Sequence, residues 1–489
     1  MLIDLLPDNV LLEIFKFCLC DDALFSKYSY DHPKKWQTLV HVCHRWRSVI
    51  FTSPRQLGLY LTCSHRTSVR KDLGFWPATL PLSLDYSFGY DPATPDEEDN
   101  IFAALEYSSR VHSIEIHDAR AQLIKRVLAT MEKSFPSLVN LDLTCHPQDT
   151  LPVIPRKFLG GSAPHLRHLH LRDISAERLS TLLLSTSNLV TLTLDDIPLV
   201  DCTSGDMARI LATLNSLTSF SISCYEGILP SDQWQSQTDP PMRAIVHALT
   251  RFFYKGHSQC LEDLLAQVDM PQVDYISIEY PTYQIQTSHL SRFIERTENF
   301  KIEKFTCAEV VFYDEDPFFA LGREEGIFNQ AHLLVRVYDD PNLEVHVRGM
   351  VHILRQLAPI FSNVGALFAH GYLAEQHSSS IEMDITHWLP LFRLFPAAEV
   401  LRLSGEVGVY IASALEDTAE EMVAEVLPAL RLIKLAKDEL DNEDAEVDQD
   451  YWDESGASVE RFPFLRQFSG CPVIVLGLED EFVEAEWRR

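Results

Sequence analysis

Apolar residues near the start of the chain recur at three and four positions. Val10, Ile14 and Cys18 form one row, Leu11 and Phe15 a second, and Leu12 lies beside it. This spacing predicts a helix over 6–18. Pro7 followed by Asp8 suits its first turn, where a missing N–H costs nothing and an acid meets the positive end of the helix dipole. The apolar arc is wider than one core face needs, so the helix is either central in its domain or shared with a partner. Trp36, Leu39, Val42, Cys43, Trp46, Val49 and Ile50 predict a second helix over 36–50, stopped by Ser53-Pro54. The same pattern sends Cys43 inward and leaves His41, His44, Arg45 and Arg47 on the other face.

Beyond Pro54 the period becomes two, as in Leu57-x-Leu59-x-Leu61 and Leu80-x-Leu82-x-Leu84. A phrase L-x-x-L-x-L then recurs from Val111, Leu138, Leu166, Leu189 and Leu217, at intervals of 27, 28, 23 and 28 residues. A gap of 56 follows before Val273-x-x-Ile276-x-Ile278; Ile302, Phe305 and Cys307 come 29 residues later, with weaker echoes at Val364 and Ala398. Such a period is the signature of a leucine-rich repeat, in which a short strand and a helical return stack on their neighbours to close a common core. A mixed α/β domain with parallel strands shares the pattern. Ile174 and Ile197 occupy the ninth position, where an asparagine ladder needs Asn.

The N-terminal residues carry a more specific likeness. Leu6-Pro7, the Leu-x-x-Ile spacing of Leu11 and Ile14, and Val42-Cys43-His44-Arg45-Trp46 together resemble an F-box, closest in wording to large fungal F-box families. The likeness covers residues 6 to about 54. It implies a small three-helix module that docks on a Skp-type adaptor, and through it on a cullin–RING ubiquitin ligase of the SCF type. Carried over residue by residue, Leu6, Pro7, Leu11 and Ile14 meet the adaptor, and Val42, Cys43 and Trp46 hold the second helix or extend the contact. Many F-boxes join their first two helices by a few residues; here Leu19 to Lys35 intervene.

The expected architecture is therefore α/β: an all-α F-box module over 1–54, then an irregular leucine-rich-repeat solenoid with parallel strands over 55–489. The expected function is that of a substrate-recognition subunit, with an F-box scaffold acting outside the ligase as the alternative. In either case the chain is a receptor and not an enzyme.

Composition narrows the partners. Forty-one Lys and Arg against 71 Asp and Glu leave a net charge of −30, which argues against nucleic acid and against docking on an anionic membrane. Residues 1–80 are the exception, with ten basic and seven acidic residues. Residues 91–100 hold five acids and two prolines and residues 438–454 hold ten acids; both read as solvated loops. Phe462-Pro-Phe-Leu and Cys471-Pro-Val-Ile-Val-Leu476 read as a closing helix and strand. Ten cysteines without a CxxC pair read as reduced thiols. Met1-Leu-Ile-Asp4 lacks the positive start of a signal peptide, and no apolar stretch reaches the ~20 residues of a membrane span. The expectation is an intracellular protein, cytoplasmic or nuclear or both.

No phosphate-binding glycine loop, zinc-protease or serine-hydrolase motif is found in the sequence, and neither a cofactor nor a metal is expected. The repeat points instead to a surface. In L-x-x-L-x-L the third, fifth and seventh positions face away from the leucines. They place Ser113, Glu115 and His117 beside Asn140, Asp142 and Thr144, then His168, His170 and Arg172, then Thr191, Thr193 and Asp195. Ser219, Ser221 and Ser223 follow, and later Tyr275, Ser277 and Glu279. His117, Asp142, His168, His170, Arg172, Thr193 and Tyr275 are the candidates to touch a target. Arg172 with His168 and His170 reads as a local basic spot for an acidic or phosphorylated ligand.

Overall fold

The computed structural model describes residues 5–19, 35–65, 68–88, 92–147, 150–175, 179–197, 203–223, 243–283, 285, 287–301, 305–312, 317–323, 331–338, 343–371, 385–416, 425–436 and 473–476. The predicted Leu19–Lys35 loop, apart from its ends, and the acidic run 438–454 lie outside them, as does Phe462. The chain forms two compact units, one of residues 1–202 and 213–217, the other of 203–212 and 218–489.

The first unit begins with helices α1 (Asp8–Leu19), α2 (Lys35–Val40) and α3 (His44–Thr52). The single helix predicted over 36–50 is thus two. The chain turns at His41–Val42, and Cys43 becomes the N-cap of α3, its Sγ accepting from the Trp46 N–H at 3.4 Å. Cys43 is exposed, not inward. The β-branched pair Val40 and Val42 is weakly helical, and the break lets Trp36 and Val40 reach the same apolar cluster as Val49 and Ile50. That cluster also holds Leu11, Phe15, Leu57, Leu59 and Leu80, so it runs from the first helix into the strand region.

Six parallel strands follow: β1 (Leu61–Cys63), β2 (Leu82–Ser87), β3 (Val111–Ala119), β4 (Asn140–Cys145), β5 (His168–Arg172) and β6 (Thr191–Asp195). Each pairs with the next in sequence. Leu84, Ile114, Leu141, Leu169 and Leu192 align across the ladder and are all buried. These are the fourth positions of the repeat phrase, each contributing about 1.5–3 kcal/mol by burial. The connections carry α4 (Val69–Phe75), α5 (Pro95–Leu105), α6 (Ala121–Thr130) and α7 (Leu179–Leu183).

The acidic run over 91–100 is helical over 95–100 and not a loop there. From Pro95 onward it is the first turn of α5, with Thr94 as N-cap in a capping box with Glu97 and three acids at the positive end of the dipole. The acids are also used between elements. Glu97 meets His65 at 2.6 Å, Asp99 pairs with Arg70 at 2.7 Å, and Asn100 Oδ1 caps α4 by accepting from Val69 N–H at 3.1 Å.

The second unit begins with α8 (Ser204–Thr213) and β7 (Ser219–Ser223). Then come β8 (Ala244–Ile245), β9 (Arg251–Lys255), α9 (Ser258–Leu265), β10 (Val268–Asp269), β11 (Tyr275–Tyr280) and α10 (Ser288–Arg296). They are followed by β12 (Cys307–Phe312), β13 (Phe318–Gly322), β14 (Leu333–Val337), α11 (Leu343–Leu357) and β15 (Ala366–Gly371). The last elements are α12 (Leu389–Phe392), β16 (Val400–Ser404), α13 (Gly405–Glu416), β17 (Leu432–Ala436) and β18 (Val473–Leu476). Strand β18 falls where a closing strand was predicted. The strand order is β7-β9-β11-β14-β13-β12-β15-β16-β17-β18, with β8 and β10 forming a separate short ladder.

Two expectations are corrected here. The 56-residue gap contains a further copy of the phrase, Leu249 just before β9 with Phe252 and Tyr254 on it, all buried, with aromatic side chains in leucine positions. The phrase placed at Ile302, Phe305 and Cys307 is out of register. The core residues of β12 are Ala308 and Val310, which align with Leu367 and Ala369, so Phe305 is the first leucine position and Cys307 faces the other way. Strand β13 runs antiparallel to both β12 and β14, which interrupts the regular succession.

Two helices of this unit are fastened by side chains from neighbouring segments. The buried Glu262 carboxylate on α9 accepts from Ser288 Oγ and from the Leu290 N–H, both at 2.9 Å, at the start of α10. Gly349 on α11 has no Cβ because one would lie 2.1 Å from the Tyr283 ring, whose hydroxyl bonds the buried His346 at 2.6 Å. Among the described residues no helix is long and apolar enough to cross a membrane.

Candidate functional site

The two halves of the N-terminal motif meet in space. The Arg45 guanidinium holds Asp8 Oδ1 through Nε at 3.1 Å and Nη2 at 2.7 Å, and Nη2 also donates to the Leu6 carbonyl. Trp46 is half-buried and stands edge-on to Phe15, with ring centroids 4.9 Å apart. The sequence pattern does not show this coupling, because Arg45 is 37 residues from Asp8.

The two apolar rows of α1 separate. Leu11 and Phe15 are buried in the cluster. Val10 and Ile14 are 38% and 37% exposed, and Phe17 is 83% exposed on the same side. Leu5 and Val42 are exposed as well. Of the residues assigned to the adaptor, Leu11 is therefore a core residue that supports the helix. Leu6 and Trp46 are half-buried, and Pro7, Ile14, Val42 and Cys43 are at the surface. Leu5, Val10 and Phe17 are further exposed apolar residues of this segment. Their signal was the excess width of the apolar arc, which says that one row stays outside but not which.

The second candidate region is the face of β3–β6 opposite the leucines. His170 is its centre. Its Nδ1 lies 3.0 Å from Asp142 Oδ1 and its Nε2 lies 3.1 Å from Asp195 Oδ2. Burial alone pushes the imidazole toward neutrality, but the two carboxylates outweigh it and raise the pKa to about 9. His117 Nδ1 lies 3.6 Å from the same Asp142 oxygen. Arg172 Nε lies 3.8 Å from both Asp173 and Asp196. His168 is exposed, touches Thr191 Oγ1 at 3.2 Å, and is shifted toward the neutral form by burial and by Arg167.

The expected basic spot is therefore not basic. Arg172 and His170 each face carboxylates on both sides, and His168 favours the neutral state. Those carboxylates come from neighbouring strands and strand ends, so the leucine phrase of β5 alone could not reveal them. Thr193 is half-buried beside His170 in the cross-strand register. Tyr275 belongs to the second unit, its ring 5.2 Å from Phe253.

Asp118, Asp173 and Asp196 end β3, β5 and β6 with φ of 54°, 54° and 51°. Asp is one of the few side chains that tolerates this left-handed region. Asp173 is only 2% exposed, and its Oδ2 accepts no hydrogen bond. Burial first, and the Asp196 charge second, push its carboxyl up to about 6. Ile174 and Ile197, the next residues in two of these turns, are buried.

Among the described residues no group of three or more His, Cys, Asp or Glu could hold a metal ion. The chemistry this face offers is reversible ionic and hydrogen-bonded binding. No known family model and no curated protein matches this chain.

Proposed function

We propose that the chain is the substrate-recognition subunit of an SCF-type cullin–RING ubiquitin ligase. The N-terminal helices act as an all-α F-box module on a Skp-type adaptor, and the repeats, as an irregular leucine-rich-repeat solenoid, hold a target protein. The observation that carries this reading is the exposed row Val10, Ile14 and Phe17 on a helix whose opposite row is buried, at a motif whose two halves are joined by Arg45. Exposed apolar rows on short helices mark protein–protein contacts. The subunit works by proximity: holding a target near the ubiquitin-loaded enzyme raises its effective concentration, with no bond made or broken by this chain.

Co-expression with a Skp-type adaptor tests the reading. Wild type should co-elute with the adaptor. A Val10→Asp/Ile14→Asp/Phe17→Asp variant should not, while keeping a cooperative melting transition because the buried row, Leu11 and Phe15, is left intact. A well-folded wild type that fails to bind, or a variant that still binds, overturns it. A bound protein that becomes ubiquitylated in a reconstituted reaction tests the ligase role itself.

A further inference from the structure

On the face of β3–β6 the negative charges outnumber the positive ones. Glu115 is held by neutral donors, Ser113 Oγ at 3.0 Å and Asn140 Nδ2 at 2.8 Å. Asp142 and Asp195 share one imidazolium, and Asp173 and Asp196 share one guanidinium. Asp173 supplies a second kind of observation. It is almost wholly buried, its Oδ2 accepts no hydrogen bond, and the cation nearest that oxygen in an ion pair, Arg172, lies 3.8 Å away. A buried carboxylate short of donors is stabilised when a further cation settles beside its group.

The geometry also sets a length. Glu115 on β3 aligns with Asp142 on β4, and Asp142 aligns with His170 on β5. From β3 to β6 is three strand spacings, about 14 Å, which an extended chain crosses in about four residues. Two cationic side chains that far apart reach Glu115 at one end and Asp195 and Asp196 at the other.

We infer that this face docks an extended, Lys/Arg-rich segment of the target protein, with its cations about four residues apart. The inference rests on the target-holding half of the proposed function. It names the class of ligand as cationic, opposite to the acidic or phosphorylated ligand that the β5 residues suggest when read alone. Each exposed ion pair contributes little. Several together give a weak, strongly salt-dependent affinity, with specificity from the pairing.

The test uses the full chain and a fluorescein-labelled ten-residue peptide, Ser-rich with Arg at two positions four apart, followed by anisotropy. A peptide with phosphoserine at the same positions is the comparison. The Arg peptide should bind saturably, and a Glu115→Gln/Asp195→Asn/Asp196→Asn variant should weaken it about tenfold. Because the whole chain is acidic, a Glu106→Gln/Glu132→Gln variant serves as a control that removes exposed charge elsewhere, and it should bind within about twofold of wild type. A photoreactive form of the peptide should crosslink wild type on β3–β6, which keeps the test valid if the triple variant unfolds. Equal loss in the control, crosslinks elsewhere, or preference for the phosphopeptide overturns the inference. Adaptor co-elution is scored on the same preparation: binding to the adaptor without the Arg peptide sinks this inference alone, and the reverse sinks the adaptor reading alone.

Discussion

The sheet faces opposite the leucines differ sharply between the two units. In the first, β3–β6 present half-exposed His, Asp, Thr and Arg side chains joined by ion pairs. In the second, Cys307, Val311, Phe318, Ala320 and Leu334 form a buried apolar cluster on the corresponding face of β12–β14, with Tyr275, Ala366 and Phe368 packed beside it. Charged groups on that face lie against the cluster, as in the 2.7 Å contact of His370 with Glu309 and the Arg336 guanidinium 5.4 Å from the Phe318 ring. Strands of similar length and spacing thus carry a polar surface in one unit and a second core in the other. The leucine phrase constrains only one side of each strand. The other side is free to follow whatever lies over it, so the two faces call for opposite tests.

The largest contrast is predicted for a buried charge. Val311→Asp in the second unit should cost about 3–5 kcal/mol, because the new carboxylate replaces a fully buried side chain of an apolar cluster. Thr193→Asp on the first unit's face should change stability by no more than about 0.5 kcal/mol. Calorimetry of both variants checks the pair, and a comparable loss for Thr193→Asp would erase the distinction.

A smaller effect follows from His170. Its folded pKa, about 9, lies above the ordinary value of 6.5. A group raised on folding contributes stability that is fully present below the unfolded pKa and lost as pH rises through the folded one. His170→Gln should therefore destabilise by about 2–3 kcal/mol at pH 6, and the difference from wild type should shrink between pH 6.5 and 9. A pH-independent difference in urea unfolding would mean that the two carboxylates do not hold the charge.

The smallest and opposite effect is at Asp173. Its carboxyl is raised from 3.8 to about 6, so wild type loses stability as pH rises across that window. Asn is neutral and also tolerates a φ of 54°. Asp173→Asn should melt higher at pH 7, by about 2 kcal/mol at most, with the gain vanishing below pH 4. A destabilised variant at neutral pH would show that the attraction of Arg172 outweighs burial and Asp196.

Much of the architecture was legible because it depends on local period. Leu138, Leu141 and Leu143 announce β4 as clearly as Val273, Ile276 and Ile278 announce β11. Where aromatics replace leucines, as at Phe252 and Tyr254, a search for aliphatic residues passes over a true repeat. At Phe305 the phrase could be read in two registers, and only pairing with Ala366–Gly371 chooses between them. The helix over Pro95–Leu105 was written in the sequence as Thr94-Pro95-x-Glu97, a capping signal that the density of acids concealed. The proposed sites were less legible. Glu115, Asp142, His170 and Asp195 each sit on the predicted face, but the sign of that face depends on which of them touch.

The sequence by itself determined the alternation that buries one edge of each strand, the helical period of the first fifty residues, and the excess of apolar width on the first helix. These follow from bond geometry within a few residues. Only the tertiary structure decided which row of that helix is buried, that Arg45 clasps Asp8, and that the cations of β5 are neutralised. The reason is distance along the chain: the partners of His170 lie 28 and 25 residues away, and an ion pair is set by where the strands are stacked rather than by what precedes it.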